Sequence, residues 1–208
     1  MKKCIVISDS FKGSLSSGEI CDLARESFGR LLSDWEVDCI PVADGGEGTV
    51  DCFIQAMGAQ RVEVTVTNAL GEKSAAAYAR IGELAIIEMA AAAGLPLVGE
   101  RKDPERTTTY GVGELIAHAV RGGAKEILLG LGGSATNDGG CGCAAALGVG
   151  FLDEDGQGFI PVGDTLGRIG RIDTAKAEEL LHGVELTIMC DVTNPLYGPT
   201  GAAYVFAP

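Results

Sequence analysis

Short apolar runs alternate with amphipathic stretches along much of the chain. The runs at 3–8, 36–42 and 126–131 are typical of buried strands, and each leads into a loop and then a stretch with helical spacing. Ser16 and Glu19 have the spacing of a capping box, which predicts the start of the first helix. Strands that alternate with helices predict an α/β fold with mostly parallel sheets and helices on their faces.

The middle of the chain has a different pattern. Residues 61–67 alternate strictly between apolar and polar, and 74–81 and 84–90 resemble further strands of an antiparallel group. We interpret this change as a domain boundary. It divides the chain into an N-terminal α/β segment over 1–68 and a second α/β domain over 69–208.

Composition and net charge argue against several classes of function. Of the 208 residues 46% are hydrophobic and 22% charged, as in ordinary soluble globular proteins. No apolar run reaches the ~18 residues that a membrane-spanning helix needs. The net charge of −13 argues against nucleic-acid binding, which needs a basic face. Seven cysteines without paired spacing predict a reducing cytoplasm rather than a disulfide framework.

Four polar, glycine-containing loops follow predicted strands. They are SDSFKGS at 8–14, ADGGEGT at 43–49, LGGSATNDGG at 131–140 and DVTNPLYGP at 191–199. Ligands of parallel α/β sheets bind beyond the carboxyl ends of the strands, so we expect the four loops to converge on one crevice. Glycines let backbone N–H groups approach an anion closely, which predicts binding of phosphate or carboxylate oxygens.

The side chains of these loops suit phosphoryl transfer. Lys12 can neutralise phosphate charge. The carboxylates at strand ends can hold Mg²⁺ or accept a hydroxyl proton; they are Asp44, Glu47, Asp138 and Asp191. The residues predicted to bind substrate oxygens are Ser10, Ser134, Thr136 and Asn194. The alternative for Asp44, Asp138 or Asp191 taken alone is a cap of a helix or turn.

Two further motifs predict ligand binding. Arg106 and the threonines at 107–109, Thr108 among them, precede a predicted helix and form another candidate anion site. Gly130 to Ala135 match the G-x-G-x-x-A pattern of dinucleotide-binding proteins, which keeps a nicotinamide-dependent oxidoreductase as a rival. The G-x-x-x-x-G-K-[ST] motif of P-loop enzymes does not occur.

Six blocks occur in a characteristic order: SDSFKGSLS, VADGGEGTV, IEMAAAAGLPLV, TTTYGVGELI, GGSATNDGG and CDVTNPLYGPTGAA. Together they closely resemble the bacterial glycerate kinase family of the type that lacks a P-loop, over essentially the whole chain. The resemblance implies ATP-dependent phosphorylation of D-glycerate to a phosphoglycerate, with Mg²⁺. It also implies two α/β domains that face a cleft.

The resemblance identifies blocks, and the roles within them are physical assignments. The loop residues at matching positions are Asp9, Ser10, Lys12, Asp44, Gly45, Gly46, Glu47, Ser134, Asn137, Asp138, Asp191 and Asn194. We assign Lys12 to charge neutralisation, and Asp44 or Asp191 to the base or a Mg²⁺ ligand. Asp138 is a second candidate ligand of Mg²⁺.

One departure from the family concerns length. Family members continue past VFAP with a "PGAGAAGG"-like stretch and a "TGEGR-D"-like motif, and neither occurs here. The resemblance therefore implies a chain truncated at its C-terminus, with AAYVFAP as an uncapped final strand. A catalytically inactive remnant that binds ligand is the alternative to an active kinase. Surface left by missing elements would favour a homodimer.

Overall fold

The computed structural model describes residues 2–11, 14–32 and 34–207. The strands are β1 (Lys2–Ser8), β2 (Trp35–Pro41), β3 (Gln60–Thr67), β4 (Lys73–Ile81), β5 (Leu84–Glu88), β6 (Glu126–Gly130), β7 (Gly150–Leu152), β8 (Gly158–Phe159), β9 (Arg171–Asp173) and β10 (Glu185–Met189). The helices are α1 (Ser17–Leu31), α2 (Thr49–Met57), α3 (Ala90–Ala93), α4 (Leu95–Val98), α5 (Tyr110–Arg121), α6 (Cys141–Leu147), α7 (Ala175–Leu180) and α8 (Ala202–Val205), with a 3-10 helix at Gly163–Arg168.

A five-stranded sheet in the order β10-β6-β5-β4-β3 forms the centre. Its first three strands are parallel, and β4 and β3 continue it in antiparallel fashion. The predicted α/β class is confirmed, and the antiparallel part corresponds to the strands whose pattern differs in the sequence. β3 and β4, which lie on either side of residues 68–72, pair directly with each other. The division of the chain into two domains at residue 68 stays a prediction.

Helices cover both faces of this sheet. Ala85 and Ile87 of β5 pack into one core cluster, to which α5 contributes Val112 and Leu115. Ile86, between them, packs into a second cluster with Val50 of α2. Successive side chains of a strand point to opposite faces, so burial of all three places β5 between two helical layers.

The first strands form a separate parallel pair, β1 with β2, in register from Lys2–Trp35 to Ser8–Pro41. The predicted capping box of α1 is confirmed, because Ser16 and Glu19 bond each other's backbone N–H groups. The hydroxyl of Ser17 donates to the Ser8 carbonyl over 2.6 Å and accepts from the Val42 N–H over 3.1 Å. The first turn of α1 is thereby fixed to the ends of both strands.

The end of the chain corrects one expectation. The run AAYVFAP was predicted as a strand, but residues 202–205 form the short helix α8, whose last N–H groups bond back to Gly201 and Ala202. Short apolar runs fit either structure, and four residues are too few to show a period. No helix within the described ranges is both long and apolar enough to cross a membrane.

Candidate functional site

Two of the glycine loops touch through their backbones. The N–H of Gly132 donates to the carbonyl oxygen of Gly45 over 3.1 Å. A Cβ on Gly130 would overlap that same oxygen, and a Cβ on Gly132 would lie 2.7 Å from the Cα of Gly46. Glycine is therefore required here for the approach of backbone to backbone, which joins the loop after β2 to the end of β6.

The four loops border two cavities rather than one crevice. The acidic cavity, about 450 Å³, lies among the loop after β1, the loop after β2 and α2. The glycine-loop cavity, about 490 Å³, lies among the loop after β6, the segment after β10 and α8. Residues next to the glycine contact border each cavity. Glu47 and Gly48 border the acidic cavity, and Gly132 and Gly133 border the glycine-loop cavity.

The acidic cavity takes its name from the carboxylates in its wall, which are Asp9, Glu19, Glu47, Asp51 and Glu88. Three of them have local partners. Asp9 accepts from the Ser10 N–H over 2.6 Å, and Asp51 pairs with Arg61 at 2.7 Å. Hydrogen bonds from Ser16 hold the pKa of Glu19 below its ordinary value. Lys12, the predicted cation of this loop, lies outside the described residues.

Glu88 also borders this cavity and is not among the predicted site residues. It ends β5, is 9% exposed, and accepts from the Val50 N–H over 3.0 Å, with the Gly48 N–H nearby. Burial raises the pKa of its carboxyl, and the two N–H groups oppose that shift. The strand-end rule that found the four loops, applied to Leu84–Glu88, would have found it.

The glycine-loop cavity is bordered by three predicted binding residues, Ser134, Thr136 and Asn137. The hydroxyls of Ser134 and Thr136 are 2.7 Å apart, and the Thr136 N–H donates to Ser134 over 3.1 Å. The N–H groups of Leu131 and Ala135 donate to carbonyls of neighbouring segments. These hydrogen bonds shape the loop and fix it to the neighbouring segments, and Ser134 and Thr136 border the cavity.

Asp138 is buried and anchors the helices around the loop. Its carboxylate accepts from the N–H and hydroxyl of Thr109 and from the N–H groups of Gly140 and Gly142. The Thr109 hydroxyl in turn accepts from the Cys143 N–H over 2.9 Å, and burial raises the pKa of that cysteine to about 12. These bonds tie the start of α5 to the start of α6.

The other predicted residues are more dispersed. Asp44 accepts from the Gly46 N–H over 2.9 Å within its own loop. Asp191 is exposed at the end of β10, and Asn194 donates to the Thr200 carbonyl over 3.0 Å. Thr108 is buried, donates its N–H to the Ala69 carbonyl and borders neither cavity.

Arg106 is not among the residues that border either cavity, although Asp103 beside it borders the glycine-loop cavity. It borders a third depression of about 380 Å³ together with Arg101 and Lys102, and stands 3.8 Å from Asp103. In the described part of the chain, no three histidine, cysteine or acidic side chains are grouped to hold a metal ion.

Comparison with known proteins supplies the family. The model of the "Glycerate kinase family" matches residues 4–208. A glycerate kinase of Bacillus cereus is 44% identical over 98% of this chain and 54% of its own length. A glycerate 2-kinase of Escherichia coli is 43% identical over 99% of this chain and 55% of its own.

A solved structure agrees with these sequences. The crystal structure of a protein assigned as glycerate kinase 2 of Salmonella typhimurium superposes with a TM-score of 0.86 at 41% identity. It covers the whole of this chain, which covers 56% of it. The chain thus spans about half the length of the curated relatives it matches, and it belongs to the glycerate kinase family.

Proposed function

We propose that this chain carries the machinery that transfers the γ-phosphoryl group of ATP to a hydroxyl of D-glycerate, giving a phosphoglycerate. The observation that carries the proposal is the pair of cavities bordered by residues beside one glycine contact. In-line transfer needs a donor and an acceptor held side by side, and adjoining cavities supply that arrangement. The names of the relatives support the substrate pair.

The acidic cavity suits the acceptor. Carboxylates accept hydrogen bonds from hydroxyl groups, which glycerate carries, and Asp9, Ser10 and Glu47 border this space. Lys12 follows in the same loop and supplies the positive charge that glycerate's carboxylate requires. Gly45 and Gly46 form the backbone contact that joins the loop after β2 to the end of β6. Ser134, Thr136 and Asn137 contact the donor, with Asn194 on the adjoining segment.

Of the carboxylates predicted to bind Mg²⁺, Asp44 and Asp191 are better placed to do so than Asp138. Kinases hold Mg²⁺ by one or two carboxylates together with phosphates and water, so a cage of three is not needed. Gly45 packs against Met189, which brings the loop of Asp44 to the end of the strand that precedes Asp191. The oxygens of Asp138 are already engaged by Thr109 and two N–H groups. When bound, Mg²⁺ would neutralise charge on the phosphates.

Asp44 or Asp191 is also our candidate for the base that accepts the glycerate hydroxyl proton.

We further propose a cytoplasmic setting for the reaction. All seven cysteines are free in the structure, and Cys190 is exposed, as a reducing compartment allows.

A second candidate function is a ligand-binding remnant without turnover. It is favoured by exposed apolar side chains on the β1–β2 pair, Ile5, Ile7 and Ile40, because such side chains are usually covered.

The test is glycerate-dependent ADP release from Mg-ATP by the chain, with glycerate omitted as the blank. Lys12→Ala is expected to lower kcat/KM at least about tenfold, through loss of charge neutralisation. The matched control is Lys176→Ala, which removes an exposed lysine of α7. Turnover unaffected by Lys12→Ala would remove Lys12 from the mechanism. Ligand binding with no turnover in the parent chain would establish the remnant.

A further inference from the structure

The lining of the glycine-loop cavity combines two chemistries. Leu95, Val98, Val192 and the ring of Phe206 contribute apolar surface. Ser134 contributes a hydroxyl, and Lys102 a positive charge. A ligand that fills this space needs an apolar, preferably aromatic, portion and an anionic portion. Of the two substrates in the proposed reaction, only the nucleotide has both.

Lys102 is the single cation among the described residues that border either cavity. Its neighbours on the surface are engaged: Arg101 pairs with Glu72 at 2.8 Å, and Arg106 stands 3.8 Å from Asp103. Within the described part of the chain, Lys102 forms no such ion pair. Its charge is therefore open to an anionic ligand, in a protein whose net charge of −13 otherwise repels anions.

We propose that the glycine-loop cavity is the nucleotide site, with the base against Phe206 and the triphosphate on Lys102 and Ser134. The inference rests on the proposed function and extends it by assigning each substrate to a cavity. Aromatic side chains stack on nucleobases at about 1–3 kcal/mol per base, and an ammonium group bonds phosphate through charge-assisted hydrogen bonds.

The acidic cavity is unsuited to a triphosphate. Of the five carboxylates that border it, Asp51 is paired with Arg61, and the other four have no ion pair within the described part of the chain. They oppose the several negative charges of a triphosphate more strongly than the single charge of glycerate, which Lys12 offsets in the proposed function. In the glycine-loop cavity, the carboxylate in the wall is Asp103, which has Arg106 3.8 Å away to offset its charge. The difference between the two walls assigns the polyanionic substrate to one cavity and the small hydroxy acid to the other.

This assignment also orients the transfer. Gly132 and Gly133 border the nucleotide cavity, and Gly132 bonds the loop whose residues Glu47 and Gly48 border the acidic cavity. Ser134 is two positions after Gly132, so a triphosphate bound to Ser134 places the γ-phosphate at this contact in our assignment. The hydroxyl of the acceptor approaches from the other cavity.

The experiment is calorimetric titration of the 208-residue chain with ATP, inorganic triphosphate and adenosine, each in excess Mg²⁺. Lys102→Met is expected to weaken ATP and triphosphate about tenfold and to leave adenosine within twofold, because it removes only the charge. Phe206→Ala is expected to weaken ATP and adenosine about fivefold and to leave triphosphate unchanged. Lys176→Met is the matched control, expected to bind all three like the parent.

Urea midpoints equal to the parent's will show that the variants fold. Parent-like binding of all three ligands by both variants would overturn the assignment, and so would equal weakening of adenosine and triphosphate by Lys102→Met. Absence of ATP binding by the parent would overturn it as well. Glycerate-dependent turnover is a separate readout, so an active chain with unaffected variants would refute the nucleotide cavity and keep the proposed function.

Discussion

At the scale of single residues, the site depends on backbone atoms of two loops that come into contact because glycines leave no side chain between them. Gly45, Gly130 and Gly132 let the backbones of two loops meet, and Glu88 then secures the helix that follows the first loop. A carboxylate that accepts N–H groups at the start of a helix is favourable, whereas its burial is costly. Glu88 combines both effects at the wall of the acidic cavity.

Glu88→Gln tests this balance. Because burial raises the pKa of Glu88 above its ordinary 4.5, the native state holds the proton more tightly than the unfolded chain does. The resulting stabilisation is complete below that ordinary pKa and is lost as pH rises through the raised native pKa. Glutamine keeps an acceptor for Val50 and does not ionise. We therefore expect the variant to gain stability relative to the parent from pH 4.5 to 8, as measured by urea midpoints.

The control for this prediction is Glu63→Gln, which alters an exposed glutamate of β3. A difference between parent and Glu88→Gln that is the same at every pH would contradict the account of Glu88.

Site residues could be predicted from the sequence where a polar side chain directly follows a predicted strand. Polar side chains after apolar runs located Ser134 and Asn137 beside a cavity, because strand ends meet at one edge of a sheet. The partners of Asp138 could not be predicted, since Thr109 lies 29 positions away in sequence. Lys102 was missed for a related reason: it follows no strand, and only the fold brings it to the loop after β6.

At the scale of elements, close packing of helices holds the site together. α5 and α6 approach at Gly113, where a Cβ would overlap the carbonyl oxygen of Cys143 and lie 2.8 Å from the Cβ of Ala146. This is the same pair of helices that Asp138 and Thr109 tie at their starts. The loop at 131–140 enters α6, so its geometry depends on this contact.

Gly113→Ala is expected to lower the free energy of unfolding by about 1–3 kcal/mol, because the added methyl group forces two backbones apart. Gly29→Ala in α1 is the matched change, since nothing lies within 4 Å of the added Cβ. It is expected to raise stability by about 0.5–1 kcal/mol, the difference in helix preference. Urea denaturation measures both. Equal effects of the two substitutions would contradict the close packing of α5 on α6.

Most elements follow from local pattern. The capping box fixed the start of α1, and strict alternation predicted β3. The order of the strands in the central sheet and the shape of residues 202–205 depend on what lies beside them in space, which the local pattern does not contain.

At the scale of the whole molecule, the account assigns one substrate to each of two adjoining cavities. In this proposal, Lys102 attracts the anionic nucleotide to one cavity, and the carboxylates of the other cavity oppose its binding there. The sequence predicted one crevice for all four loops, whereas the structure divides these loops between two cavities. The homodimer stays a prediction.

The central claim is phosphoryl transfer from ATP to glycerate, and the most direct test is ³¹P NMR of the chain with Mg-ATP and D-glycerate. ADP release alone can arise from hydrolysis, whereas a phosphomonoester signal that requires both glycerate and protein can arise only from transfer. The account predicts that signal, growing as the γ-phosphate signal of ATP declines. Loss of the γ-phosphate to inorganic phosphate alone, or no change in ATP, would contradict it.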